Sequence, residues 1–307
     1  MYKVTISIVN TNKKNLILNN LNSIKKYPPS FPYEILVLDN ASTDSSFYAI
    51  KNNYPKVDLI RSSKKLTCTQ SRNINLKRAK GEYVFILDDD CEVVAGSFDV
   101  GINFLENNKN YAGVACQVCN KNGEILVTSG RQFPSLLNEF LGNTGLMDKF
   151  PQNKFFGRYN MTYWDHKTEK DVDMGCEGAM LFRHAILKRI NYFDENIIFF
   201  SEGPDLFKKI SEIGYKIKYI PQCTFIHNGN SEYSAIPYFH VLRHKSRYYY
   251  FKKHHGKIYA IFFKVNIFLI TILSYIRNYV YYCFKRNKND YKKHYYRLIF
   301  QWIFKIS

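Results

Sequence analysis

Along the first ninety residues, apolar positions alternate between two periods, as expected of strands interleaved with helices. Val4–Val9 is a β-branched apolar run that predicts a strand, and Leu16, Leu18, Leu21 and Ile24 then recur at helical spacing. Tyr33–Leu38 predicts a second strand. It is closed by Asp39-Asn40-Ala41-Ser42-Thr43-Asp44, whose short oxygen-bearing side chains suit a helix N-terminus. A helix to about Asn53, a strand at Val57–Ile60, a helix over about Thr69–Ala79 and a strand at Tyr83–Leu87 complete the series. Units of this length imply a parallel sheet with helices on both faces, in which ligands bind beyond the carboxyl ends of the strands.

Beyond residue 90 the pattern loosens. A helix near Ser97–Asn107 precedes a strand at Gly113–Cys119, and Asn122-Gly123 predicts a hairpin turn into a strand at Glu124–Thr128. Residues 130–170, rich in Gly, Pro and Asn, predict a long irregular excursion. Order returns at Gly178–Arg183, with helices at Ala185–Ile190 and about Asp205–Gly214 and a strand at Lys216–Ile220. One α/β domain over 1–240 and a basic tail over 241–307 is the economical division.

The chain has 307 residues, 46% hydrophobic and 23% charged, with 15 Gly and 9 Pro, which disfavours wholesale disorder. The longest uncharged apolar run lies between Lys264 and Arg277 and falls short of the ~18–20 residues of a membrane span. At the N-terminus Val4–Val9 is too short for a signal-peptide core and is followed at once by Asn10–Lys14. A cytoplasmic location is therefore expected, and the odd count of seven cysteines agrees with it. Cys116 and Cys119 form a Cys-x-x-Cys without a second pair, inside a predicted strand, so a structural role is expected.

Charge changes the picture at the C-terminus. Of the formal +18, residues 241–307 contribute +14, from 15 Lys/Arg against Asp290 alone, together with 19 aromatic residues. Such a segment suits an anionic membrane surface or a nucleic acid.

Candidate chemistry lies at the strand ends. Asp88-Asp89-Asp90 follow an apolar strand, and adjacent carboxylates repel unless a cation or donors offset them. A hard divalent ion, Mg²⁺ or Mn²⁺, bridging to a diphosphate is the natural partner, because no Cys/His set accompanies the acids. A solvated turn is the alternative. Asp39 ends the second strand, and Arg72-Asn73 opens the third helix. An acid for a nucleoside, a cation for phosphates and acids for a metal then share one rim.

In this order, Val9-Asn10-Thr11-Asn12, Val37–Asp44, Ser71-Arg72-Asn73 and Leu87–Asp90 resemble the GT-A glycosyltransferases of family 2. Gly157-Arg158-Tyr159, Met161–His166, Val172-Asp173, Gly178-Ala179, Phe193-Asp194-Glu195, Glu202, Asp205-Leu206 and Ile226-His227 resemble its rhamnosyltransferase-like branch, over about residues 4–255. The resemblance implies a Rossmann-like, mostly parallel sheet with helices on both faces. It also implies inverting, metal-dependent transfer of rhamnose or a related deoxysugar from a dTDP- or UDP-sugar to a lipid-linked or surface glycan. Val9, Asn10, Thr11, Asp39, Arg72, Asn73, Asp88 and Asp89 would bind the donor, with Asp39 on the base or ribose and Arg72 on the diphosphate. Asp88 and Asp90 would hold the metal. His227 is either a further metal or phosphate contact or a structural histidine.

Inverting transfer needs a base for the acceptor hydroxyl. The family usually supplies it from a Glu-Asp pair opening a helix, whereas this chain reads Ser201-Glu202-Gly203-Pro204-Asp205. Glu202 keeps the register and is the expected base, with Asp205 and Glu177 as the other candidates. Two other functions stay open: a catalytically weak nucleotide-sugar binder, suggested by Gly203, and a nucleic-acid-binding protein, which leaves the acidic rim unexplained. No nucleic-acid partner is expected. The tail segments Ile258–Phe284 and Tyr291–Phe304 are expected to lie on the cytoplasmic leaflet without spanning it, or alternatively to be core helices packing on the catalytic domain.

Overall fold

The computed structural model of the protein describes residues 2–229, 237–285 and 290–304, so tail positions 286–289 and 305–307 lie outside the described residues. β1 (Val4–Asn10) leads into α1 (Lys14–Lys26), β2 (Tyr33–Asp39) into α2 (Ser46–Asn53) and β3 (Asp58–Arg61) into α3 (Cys68–Arg78), before β4 (Tyr83–Asp88). These strands are parallel in the order β3-β2-β1-β4. The two-residue period divides their side chains between two cores. Val4, Ile6, Ile8, Tyr83, Phe85 and Leu87 pack with Ile17, Leu21 and Ile24 of α1 on one face. Val84 and Ile86 pack with Leu76 of α3 on the other. Thr67 and Gln70 start α3 with a reciprocal capping box that satisfies two otherwise unpaired amides.

The second half is β5 (Cys91–Val93), α4 (Ser97–Asn107), β6 (Tyr111–Asn120), β7 (Gly130–Arg131), α5 (Leu136–Asn143), α6 (Leu146–Lys149), β8 (Lys170–Val172), β9 (Met174–Gly175), β10 (Ala179–Arg183), α7 (His184–Arg189), α8 (Glu202–Glu212) and β11 (Lys216–His227). The nine-stranded sheet continues β4-β10-β6-β11-β5, with β8 also on β11. β10 runs antiparallel to both neighbours, while β11 is parallel to β6. Cys116 and Cys119 both lie in β6, as expected.

The hairpin departs from its prediction. Gly123 makes the turn at φ +82°, but the expected strand at Glu124–Thr128 is reduced to one bridge, Cys119 with Ile125, and a 3₁₀ turn at Val127–Ser129. The Leu126 amide reaches the Val118 carbonyl at 2.8 Å, and the Ser129 hydroxyl accepts from the Val118 amide at 3.0 Å. A side chain thus takes over the ladder that a return strand would have supplied.

The tail forms α9 (Pro237–His255), α10 (Lys257–Lys285) and α11 (Asp290–Phe304), with its own core of Tyr250, Phe251, Phe263, Ile299 and Trp302. α9 is fastened to the α/β unit. Asp205, wholly buried in α8, receives Lys253 Nζ at 2.7 Å and His254 Nε2 at 2.8 Å, and Lys253 also reaches Asp194 at 2.7 Å.

α10 corrects the expectation that nothing is long enough to span. Lys257–Tyr279 is long and apolar enough to cross a membrane by length and composition. Uninterrupted runs stop at Lys264, but the Lys264 ammonium lies 4.9 Å from the Tyr248 ring centroid and 5.5 Å from that of Trp302, on the packed side of the helix. The opposite side exposes Ile258, Phe262, Val265, Leu269, Leu273 and Ile276 at helical spacing.

Asp205→Asn should lower the unfolding free energy by about 2 kcal/mol, less than for a fully buried pair because Lys253 is partly solvated. Chemical denaturation measures this. An unchanged midpoint would show that Asp205 does not anchor the tail.

Candidate active site

Register builds the rim. The β1–β2 ladder pairs Asn10 with Asp39, the β2–β3 ladder pairs Asp39 with Arg61, and the β1–β4 ladder pairs Val9 with Asp88. Asn10 Nδ2 donates to Asp39 Oδ1 at 3.2 Å and to Ser46 Oγ at 2.8 Å. The Ser42 amide donates to Asp39 Oδ2 at 3.1 Å, and Arg61 Nε lies 3.4 Å from the same oxygen. Asp39 is therefore a buried, oriented carboxylate at the mouth of β2.

The three adjacent acids are separated by their partners. Asp88 Oδ1 receives Arg72 Nη2 at 2.7 Å, and that nitrogen also reaches the Glu177 carbonyl at 3.2 Å. Asp89 accepts from the Thr11 amide at 3.3 Å and from Lys13 Nζ at 3.0 Å. Lys13 Nζ also donates to Asp90 Oδ2 at 2.7 Å. Burial raises the Asp89 carboxyl to about 7, with the neighbouring acids adding to the effect and Lys13 opposing it.

Antiparallel pairing of Cys91 with His227 sets the imidazole beside Asp90, with Nε2 3.2 Å from Oδ1. That oxygen is buried and receives no hydrogen bond. A Cβ on Gly229 would stand 2.1 Å from Asp90 Oδ2, so backbone closes over this carboxylate as only glycine allows. Asp90, Cys91 and His227 offer donor atoms within 4.8 Å of one another. The Cys91 thiol is pushed well above its ordinary value by burial and contacts the Gly178 carbonyl at 3.2 Å. That leaves a carboxylate and an imidazole, a donor set that fits Mn²⁺ or Mg²⁺ completed by phosphate oxygens and water. Asp88, expected as a second metal ligand, stands outside this group and is held by Arg72.

Other expected residues also sit differently. Arg72 is buried rather than open to a diphosphate, with Nη1 unpartnered and the Phe193 ring 5.6 Å away. Asn73 exchanges hydrogen bonds with the backbone of Phe193 and reaches Glu195, bracing the turn before α8 instead of facing the rim. Asp205 is committed to α9. Glu202 and Glu177 come together: Glu202 is buried with Oε2 unpartnered, and Glu177 meets Arg131 Nη2 at 3.3 Å. Burial, reinforced by the Glu177 charge and opposed by Arg72, raises the Glu202 carboxyl to about 7.

Lys13, Arg61 and Arg131 complete the site and were not singled out by sequence. The only signal was position: Lys13 and Arg61 each lie at or just beyond a strand end on the rim. Lys13→Met should tighten Mn²⁺ binding in the absence of donor by about tenfold, since it removes a competing cation worth roughly 1.4 kcal/mol. Isothermal titration measures this, and equal or weaker affinity would show that Lys13 does not compete.

The model of the family "Glycosyl transferase family 2" matches residues 5–190. The N-acetylglucosaminyl-diphospho-decaprenol L-rhamnosyltransferase of Mycobacterium tuberculosis is 23% identical over 238 residues, covering 73% of this chain and 76% of that protein. The structure of the Pyrobaculum calidifontis mannosyltransferase PcManGT, in complex with GDP-Man and Mn²⁺, aligns with TM-score 0.58 at 14% identity, over 98% of this chain and 86% of that one. GalNAc-T7 with UDP, GalNAc and Mn²⁺ aligns with TM-score 0.58 at 17% identity, over 76% of this chain and 45% of that one.

Proposed function

We propose that this chain, which belongs to glycosyltransferase family 2, transfers rhamnose or a related deoxysugar from a dTDP- or UDP-sugar to a lipid-linked glycan precursor, with inversion. The observation that carries the reading is the bridge made by Arg72. It joins the acidic rim, through Asp88, to the segment that carries Glu177, through that residue's carbonyl, which supports a donor end and an acceptor end within one cleft. The rhamnosyl donor and polyprenyl-diphosphate-linked glycan acceptor are suggested by the mycobacterial relative, named as an N-acetylglucosaminyl-diphospho-decaprenol L-rhamnosyltransferase.

Asn10 and Asp39 bind the nucleoside, and Asp90 with His227 hold the cation. Bound there, Mg²⁺ or Mn²⁺ supplies charge neutralisation for the diphosphate. Glu202 removes the acceptor hydroxyl proton as that oxygen attacks the anomeric carbon. The bond from this carbon to the diphosphate oxygen breaks, and the leaving diphosphate takes the electron pair. A carboxyl raised to about 7 is a far better base near neutrality than an ordinary glutamate.

Two outcomes test this. Asp90→Asn should abolish both transfer and Mn²⁺-dependent donor binding while leaving the thermal midpoint near wild type; turnover that survives chelation would refute the metal role. Glu202→Gln should lower kcat by about 10²-fold or more with donor affinity unchanged. A base with a raised pKa must lose its proton to act, so wild-type kcat/KM should climb as pH rises through about 7, and that limb should vanish in the variant. A persisting limb would place the base elsewhere.

The tail is proposed to lie on the cytoplasmic leaflet, in keeping with a lipid-linked acceptor. The exposed α10 residues supply about 1.5–3 kcal/mol per fully inserted side chain. Each nearby cation adds about 1 kcal/mol on anionic lipid. Flotation with phosphatidylserine vesicles should be strong, weakened by high salt as the charge contribution is screened, and reduced by Leu269→Glu/Leu273→Glu. Resistance to salt and alkaline extraction would instead make α10 a spanning helix.

A further inference from the structure

Gly203 sits in the first turn of α8, directly after Glu202. A Cβ built there would stand 2.3 Å from Glu177 Oε1, 2.4 Å from its Cγ and 2.6 Å from its Cδ. Real Cβ atoms do not approach so closely, so the volume that any side chain at 203 would need is already filled by the Glu177 carboxyl. Glu177 arrives from a different part of the chain, the short connection between β9 and β10.

That connection is held firmly. β9 pairs with β7, which sets Arg131 opposite Met174. Arg131 Nη2 donates to the Gly175 carbonyl at 3.1 Å and to Glu177 Oε1 at 3.3 Å. Arg72 takes the Glu177 carbonyl. The side chain is thus fixed at its backbone and at one carboxylate oxygen, and it remains 29% exposed where Glu202 is 6% exposed. Of the two carboxylates, Glu177 is the more exposed to an incoming molecule, with Glu202 deeper beside it.

We propose that Glu177 is the second carboxylate of the acceptor end, supplied from the β9–β10 connection into the space left by Gly203, where it accepts hydrogen bonds from hydroxyls of a glycan acceptor and orients the attacking one. Positions 177 and 203 are then an exchange pair: one carboxylate fits, from either side, and two do not. This rests on the transferase reading above. A polyhydroxylated acceptor matches the chemistry, because the oxygens of a carboxyl group fixed by an arginine accept hydrogen bonds from neighbouring hydroxyls.

The experiment is a three-variant exchange in the full chain. Gly203→Asp alone should lower Tm by about 5 °C, since it overfills a packed site. Glu177→Ala should lower Tm by a few degrees, because it leaves the largely buried Arg131 without its carboxylate. It should keep donor affinity and lower kcat/KM for the acceptor by about 10²-fold, the scale of lost orientation. The double variant Glu177→Ala/Gly203→Asp should regain both the wild-type Tm and acceptor kcat/KM to within about tenfold of wild type. The inference is overturned if Glu177→Ala keeps wild-type acceptor kinetics, if the double variant is no better than Glu177→Ala, or if Gly203→Asp costs no stability. Should wild type transfer no sugar at all, the transferase reading fails, and the Tm series still decides whether 177 and 203 compete for one space.

Discussion

Three consecutive carboxylates at the end of β4 are the constraint around which the site is arranged. Left together in a half-buried rim, Asp88, Asp89 and Asp90 would repel and desolvate one another. The fold gives each its own set of partners, with Lys13 shared by two: Arg72 for Asp88, the Thr11 amide and Lys13 for Asp89, Lys13 and His227 for Asp90. Those partners come from α3, the β1–α1 loop and β11. Placing them fixes the relative position of most elements around the cleft, and the polar centre therefore also organises the sheet's carboxyl edge.

Arg72 extends that arrangement to the far wall. It is buried, stacks on Phe193, and joins Asp88 to the Glu177 backbone. Behind this wall, Asp205 gathers Lys253 and His254 from α9. The tail is consequently fastened one helical turn from Glu202, so the proposed membrane-facing helices and the proposed base sit on one continuous structure. For an enzyme acting on a lipid-linked acceptor, that connection would set the cleft at a fixed height above the bilayer.

The fold was largely legible because its signals are local. The alternation of Val4–Val9, Tyr33–Leu38 and Tyr83–Leu87 with helical stretches needs only neighbouring residues, and the acids at strand ends follow from the same reading. What stayed open or escaped depends on distant pairing, and His227, named as a metal contact or a structural histidine, lacked only its partner. His227 meets Asp90 only through the β5–β11 register, and Asp205 looked like a catalytic candidate until α9 arrived to occupy it. Lys13, Arg61 and Arg131 are three cations among 44 Lys/Arg, and only the strand-end positions of the first two set any of them apart. The spanning-length α10 was missed because Lys264 interrupts the run in sequence but turns to aromatic rings in space.

The proposed reaction is inverting sugar transfer at an acidic rim that would hold a divalent metal. Its most direct test is the anomeric configuration of the product, read by NMR from the one-bond carbon–proton coupling after reaction of an α- or β-configured nucleotide sugar. Inversion gives a single product of opposite anomeric configuration, expected with Mn²⁺ or Mg²⁺ and absent with chelator. A product that retains the donor's configuration, or one formed equally well in chelator, would contradict it.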